Sequence, residues 1–156
     1  MRLAPVVDLE RYAGRWYEIA RLPNRFERRC ERDVTATYTL RADGGINVLN
    51  ECVREDGTYQ SVSGKAWPDG SASALKVQFF WPFTGDYWII DLDPGYRWAL
   101  VGEPGRDNLW VLSRSPHMEE KQLARILRTA AAEGFDVSRV IRTPQTQRMG
   151  SRLTIS

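Results

Sequence analysis

Residues 14–29 read GRWYEIARLPNRFERR and join two unlike halves. Over 14–21 apolar and polar side chains alternate, the period of a half-buried strand. Pro23 ends it, because proline cannot donate to a ladder. From Arg21 to Arg29 the chain then sets four arginines around Phe26. A large tryptophan stands at one end of this strand and a basic, aromatic-bearing loop at the other.

The same period recurs downstream. Short β-branched or aromatic runs occupy 34–40, 46–53, 61–67, 74–80, 87–93, 96–103 and 109–114. Turn signals separate them: Asp43-Gly44, the PDGSAS stretch at 68–73, and Asp93-Pro94-Gly95. Short links favour antiparallel neighbours, so the runs form a meander. Closing the first strand on the last hides both edges. The expectation is an all-β fold, an eight-stranded antiparallel up-and-down barrel over about residues 12–114. Its interior would hold one small ligand or be filled by side chains.

After Arg114 the period changes. Ser115-Pro116 reads as a helix start, with Glu119 and Glu120 in the first turn. Leu123, Ile126, Leu127, Ala130 and Ala131 share one face, and Gly134 stops the helix with Phe135 packing back. This predicts one α-helix over about 116–133 on the outer wall. A short edge strand at 139–143 and a loose tail from Pro144 would complete a single domain, 1–156.

Composition narrows the function classes. The chain is 42% hydrophobic and 27% charged, enough to bury a core, and its six tryptophans suit a large apolar interior. A net charge of +2 argues against nucleic acid as a partner. No apolar run approaches the ~18 residues of a membrane helix. The N-terminus lacks the apolar core of a signal peptide. The expected location is periplasmic or outer-membrane-associated if a leader has been removed, and cytoplasmic otherwise. Two cysteines and one histidine make no four-ligand set, so no metal or other cofactor is expected.

In a meander the loops alternate ends. The connections at 41–45, 68–73 and 93–95 are tight, whereas 22–33 and the stretch after Phe80 are longer. One end would then be shut and the other a mouth. Trp16 and Arg114 fall together at the shut end, where a guanidinium over an indole would plug the floor.

With these features in place the chain resembles the lipocalins. GRWYEIAR matches their Gly-x-Trp signature, LDPGY near WALV resembles their second block, and Arg114 matches the arginine of the third. GRWYEIARLPNRFER, VTATYTLRADGGINVLN, ALKVQFFWPF and AAAEGFDVSRV look closer still to the bacterial lipocalins and their relative apolipoprotein D. The likeness implies a calyx that binds lipids, with Gly14, Trp16 and Arg114 as its structural floor. Bacterial members are often outer-membrane lipoproteins.

The family pattern sets which residues face inward. Strand 14–21 would contribute Ala20 and Glu18, strand 34–40 Ala36 and Tyr38, and strand 46–53 Val48 and Asn50. Gly64, Ala66, Val77 and Phe79 follow from the next two strands, then Tyr87, Ile89, Ala99 and Trp110. Small residues would leave room for an acyl chain, with Tyr38, Tyr87 and Trp110 walling it. Asn50 and the two tyrosines would bind a head group or satisfy one another. Glu18 needs a partner, either backbone N–H groups or Arg97. At the rim, Arg25 and Arg28 could attract an anionic head group or simply be solvated, and Phe26, Trp81 and Phe83 could meet a membrane surface or fold back as a lid. Cys30 and Cys52 lie at adjoining strand ends near the mouth, which suits a disulfide; two unpaired thiols are the other reading.

The leading expectation is non-catalytic binding and transport or storage of a fatty acid or lysophospholipid, with a role in membrane lipid maintenance, by a monomer or homodimer. The alternatives are a dimeric interaction module at a membrane surface, joined through mouth aromatics, and a lipid-modifying enzyme using Cys52. The enzyme reading is weak because His117, the one histidine, falls at the helix start outside the barrel.

Overall fold

The computed structural model describes residues 1–25, 27–80 and 83–147. Phe26 and Trp81, the side chain of Phe83 and the tail from 148 lie outside the described residues. The rim readings placed on those aromatics therefore have no structural counterpart here.

Eight antiparallel strands close into a barrel. They are β1 (Gly14–Arg21), β2 (Cys30–Leu40), β3 (Ile46–Arg54), β4 (Tyr59–Ser71), β5 (Ala74–Phe80), β6 (Phe83–Leu92), β7 (Trp98–Gly102) and β8 (Leu109–Ser113). Each pairs with the next, and β1 pairs with both β2 and β8. β4 runs on to Ser71, past the predicted turn at Pro68, with Gly70 at positive φ near its end.

Before β1 comes a single helical turn that periodicity did not reveal, α1 (Leu9–Tyr12). Asp8 caps it by accepting from the Glu10 N–H. One turn is too short to show a helical repeat in sequence. After β8 lies α2 (Glu120–Ala132), which starts later than the predicted 116. Ser115 is not its N-cap. The Ser115 hydroxyl instead accepts from the His117 N–H in a local turn, and the true cap position is Glu119. The C-terminal end follows expectation. Gly134 has φ +96°, its N–H donates to Ala131 O, and Phe135 N–H donates to Ala130 O, a Schellman closure. Leu123, Ile126, Ala130 and Phe135 pack with Ile90, Leu100 and Val111 of the outer wall, while Ala131 is exposed.

The β1–β2 seam is only half made by those two strands. They pair from Gly14–Tyr38 to Tyr17–Thr35 and then diverge. The C-terminal segment fills the gap. β9 (Ile141–Arg142) pairs with Ala20 and Arg21. Thr143 N–H donates to Ile19 O at 3.0 Å, and Asp33 N–H donates to Pro144 O at 2.9 Å. The Gln145 amide donates to Glu18 O at 2.8 Å and Val34 O at 2.9 Å, bridging both strands. The start of the tail is thus docked rather than loose, because a diverging seam leaves backbone groups that need partners.

β1 also carries a bulge. Glu18 lies opposite Leu112, but Ala20 lies opposite Val111, so the register slips between them. One extra residue reverses every face beyond it. Ala20 therefore lies outside, in the cluster under α2, and is not an inner-wall residue. Arg21 takes the inward face instead, opposite Trp110.

Candidate functional site

The shut end is built around Trp16, which is fully buried. The Arg114 guanidinium carbon stands 3.8 Å from the centre of its ring. The same guanidinium donates to Arg15 O at 3.0 Å, Tyr12 O at 3.1 Å, Arg11 O at 2.7 Å and Tyr96 O at 3.2 Å. It thereby satisfies carbonyls at the C-terminal end of α1, where a cation is favoured. Gly14, at φ +107°, lets Arg114 pass, since a Cβ there would lie 3.2 Å from Nη1. Trp16 Nε1 donates to Tyr12 O at 2.8 Å.

Above this plate stand three phenols. Tyr12 reaches in from α1, stacked at 5.7 Å on Tyr38, and its hydroxyl lies 2.7 Å from that of Tyr87. Tyr38 OH lies 2.8 Å from the same Tyr87 oxygen. Burial raises all three phenols above the ordinary tyrosine range, so each keeps its proton. Tyr38 and Tyr87 thus bond to each other, and Tyr12, which the sequence reading missed, completes the set.

Cross-strand register places most of the expected wall residues on one face. Ala36 lies opposite Asn50, Tyr38 opposite Val48, and Val48 opposite Gly64. Ala66 lies opposite Val77, Ile89 opposite Val101, and Val101 opposite Trp110. Ala36, Tyr38, Val48, Ala66, Ile89 and Ala99 are buried in one cluster with Trp16 and Tyr12. Val77, Phe79, Tyr87 and Trp110 pack on that cluster but stay partly exposed, as do Asn50 and Gly64. The inner face thus grades from fully buried side chains around Trp16 to partly exposed ones at Val77, Phe79 and Trp110. The small residues do not all make room for a ligand. A Cβ on Gly64 would lie 2.5 Å from the Phe79 ring, so that space already belongs to Phe79.

At the mouth the loop 22–29 divides its charges. Arg25 and Arg28 are exposed, whereas Glu27 turns inward. Glu27 accepts from Trp110 Nε1 at 2.7 Å and from Asn24 Nδ2 at 3.0 Å. A disulfide joins Cys30 to Cys52, with a Cα separation of 5.6 Å, and ties the end of this loop to β3. It is the kind of bond that persists in an oxidising compartment.

Glu18 is 3% exposed and pairs with Arg21 at 2.9 Å. The Thr143 hydroxyl donates to it from the C-terminal segment. Arg97 is not its partner. Arg97 faces outward and binds Asp93 at 2.7 Å, where it draws that carboxyl below its ordinary value. Burial, then the neighbouring Glu27 carboxyl, hold Glu18 well above its ordinary value of 4.5. The folded chain therefore keeps a proton that the unfolded chain has lost. This contribution to stability is whole below pH ~4.5 and is lost as pH rises through the raised folded value. Glu18→Gln should flatten that decline in urea midpoints measured from about pH 4 to 9. An unchanged slope would remove Glu18 as its source.

Comparison with known proteins agrees with this architecture. The family described as a lipocalin-like domain matches residues 7–145. The outer membrane lipoprotein Blc of Escherichia coli is 52% identical over 137 residues, covering 86% of this chain and 77% of that protein. Temperature-induced lipocalin-1 of Arabidopsis thaliana is 42% identical over 155 residues, covering 94% and 83%. Among solved structures, lobster apocrustacyanin A1 superposes with a TM-score of 0.72 at 18% identity, covering 88% of this chain and 79% of its own.

Proposed function

This chain belongs to the lipocalin family, and from that premise we propose that it binds and carries a single-chain lipid in the upper half of its barrel. Lipocalins bind small hydrophobic ligands and are generally non-catalytic. The ligand class we favour is a fatty acid or lysophospholipid, held for transport or storage in the upkeep of a membrane. The observation that supports this reading is the gradient of exposure along the inner face. Trp16 and Ala99 at the bottom are fully buried, whereas Val77, Phe79 and Trp110 above them remain partly open. An acyl chain laid on that wall would gain about 25 cal/mol for each Å² of apolar surface removed from water.

The exposed Arg25 and Arg28 would present positive charge to the phosphates of a membrane while the tail enters. The disulfide and the Blc relatives, which are outer membrane lipoproteins, favour a periplasmic or outer-membrane setting. The enzyme alternative loses its nucleophile, because Cys52 is bonded to Cys30.

The test is lipid titration of delipidated protein, followed by tryptophan fluorescence and native mass spectrometry. Lysophosphatidylcholine or oleate should bind one to one. Val77→Trp, a plug on the inner wall, should weaken uptake at least about tenfold, since excluding two methylenes costs ~1.6 kcal/mol. Circular dichroism should report the same fold. Full uptake by a folded Val77→Trp protein would place the lipid elsewhere.

A further inference from the structure

Two acids and one base are buried together beside the mouth. The side chains of Glu18 and Glu27 are 3% and 13% exposed, and Arg21, at 9%, meets both. Its Nη1 lies 2.9 Å from Glu18 Oε2 and 3.5 Å from Glu27 Oε2. One guanidinium cannot balance two carboxylates away from water, so the cluster needs a proton. Burial and then the facing Glu27 carboxyl keep that proton on Glu18, which shares it with Glu27. Glu27 Oε2 accepts no other hydrogen bond among the described residues.

The remaining neighbours decide which acid gives way when the proton leaves. Thr143 of the C-terminal segment donates to Glu18 Oε2, and the closer contact of Arg21 is also to Glu18. Both favour the ionised form of Glu18. β2 adds the phenol of Tyr38, which burial and then the two carboxyls keep protonated. β8 adds Leu112 and Trp110, neither of them charged. Glu18 sits on a paired strand, so it stays in place. Glu27 sits on a loop, is the more exposed of the two acids, and shares that loop with Arg25 and Arg28, both open to water. Repulsion between two ionised carboxylates is therefore relieved by movement of Glu27.

We infer that Glu18 and Glu27 form a proton-operated switch at the mouth of the barrel. With Glu18 protonated, Glu27 is held inward and accepts from the Trp110 indole at 2.7 Å. Loss of the proton as pH rises turns Glu27 out towards Arg25 and Arg28 and frees Trp110 Nε1. The sign follows from the charge count. The inward arrangement takes up a proton, so it is favoured at low pH. Asn24, whose amide also donates to Glu27 Oε1, is released with it. The mouth thus holds an inward acid at low pH, and at high pH it loses that acid and gains a free indole N–H.

The Trp110 indole N–H reports the state of the switch in proton–nitrogen NMR spectra of the protein, assigned with Trp110→Phe. A charge-assisted hydrogen bond to a carboxylate holds its proton resonance downfield. Between about pH 5 and 9 that resonance should move upfield in a single step. Glu18→Gln keeps an amide donor for Glu27 and an oxygen for Arg21 and Thr143, so its Trp110 resonance should stay downfield throughout. Glu27→Gln removes the second charge and keeps an oxygen for Trp110, so it too should show no step. His117→Gln removes the only imidazole and should leave the step in place. A Trp110 resonance that holds still over this range in the parent protein overturns the switch. So does a step that survives in Glu18→Gln or Glu27→Gln, or one that disappears in His117→Gln.

Discussion

Trp16→Ala should destabilise the barrel by about 3–5 kcal/mol, the cost of deleting a fully buried aromatic side chain. The loss has several parts that share one cause. The indole fills the bottom of the barrel, packs against Tyr12 at a ring distance of 5.0 Å with the planes tilted, and carries the Arg114 guanidinium on its face. Without it a cavity opens under the three tyrosines, and Arg114 loses the surface that offsets its desolvation. Denaturant unfolding measures the difference. Trp16→Phe should recover most of it, because a ring remains for Arg114, while a smaller void and the lost hydrogen bond to Tyr12 O keep it below the parent protein. A change below about 1 kcal/mol for Trp16→Ala would show that the floor is not held by this residue.

The second large effect is expected from the disulfide. Replacing both Cys30 and Cys52 by serine should cost about 3 kcal/mol, from the chain entropy regained by an unfolded loop of 22 residues' separation. The effect should also be uneven. The bridge fastens the end of loop 22–29 to β3, and that loop delivers Glu27 to Trp110. Amide exchange should therefore rise first in the loop and at the start of β2, while α2 stays protected. Comparing oxidised and reduced wild-type protein gives an independent measure. Equal stability in both forms would mean that the loop is held by Glu27 and the C-terminal segment alone.

The two effects differ in how far each could be read in advance. The floor was legible because it depends on counting strands. Once eight alternating runs and short turns imply closure, Trp16 and Arg114 must fall at the same end. The helix stop was legible for a similar local reason, since Gly134 supplies the positive φ that a Schellman closure needs. The inner wall followed from period two only once the family resemblance had set the parity, and Val48, Val77 and Ile89 fall in or against the inner cluster accordingly. Ala20 did not, because a bulge depends on how two strands meet and leaves no mark in the residues that form it.

The polar interior was the least legible part. From sequence, loop 22–29 reads as a basic rim, and in space its arginines face water while Glu27 points in. Gln145 looks like a tail residue and Thr143 like the end of an edge strand, yet they close the seam between β1 and β2. By itself the sequence determined the number of strands, the shut end and the helix that packs outside, because those depend on local period and on turns. Only the tertiary structure decided which charged groups are buried. Glu18 and Arg21 sit three residues apart on β1, Glu27 comes from the loop that follows and Thr143 from the C-terminal segment, and their meeting depends on a register slip and a diverging seam.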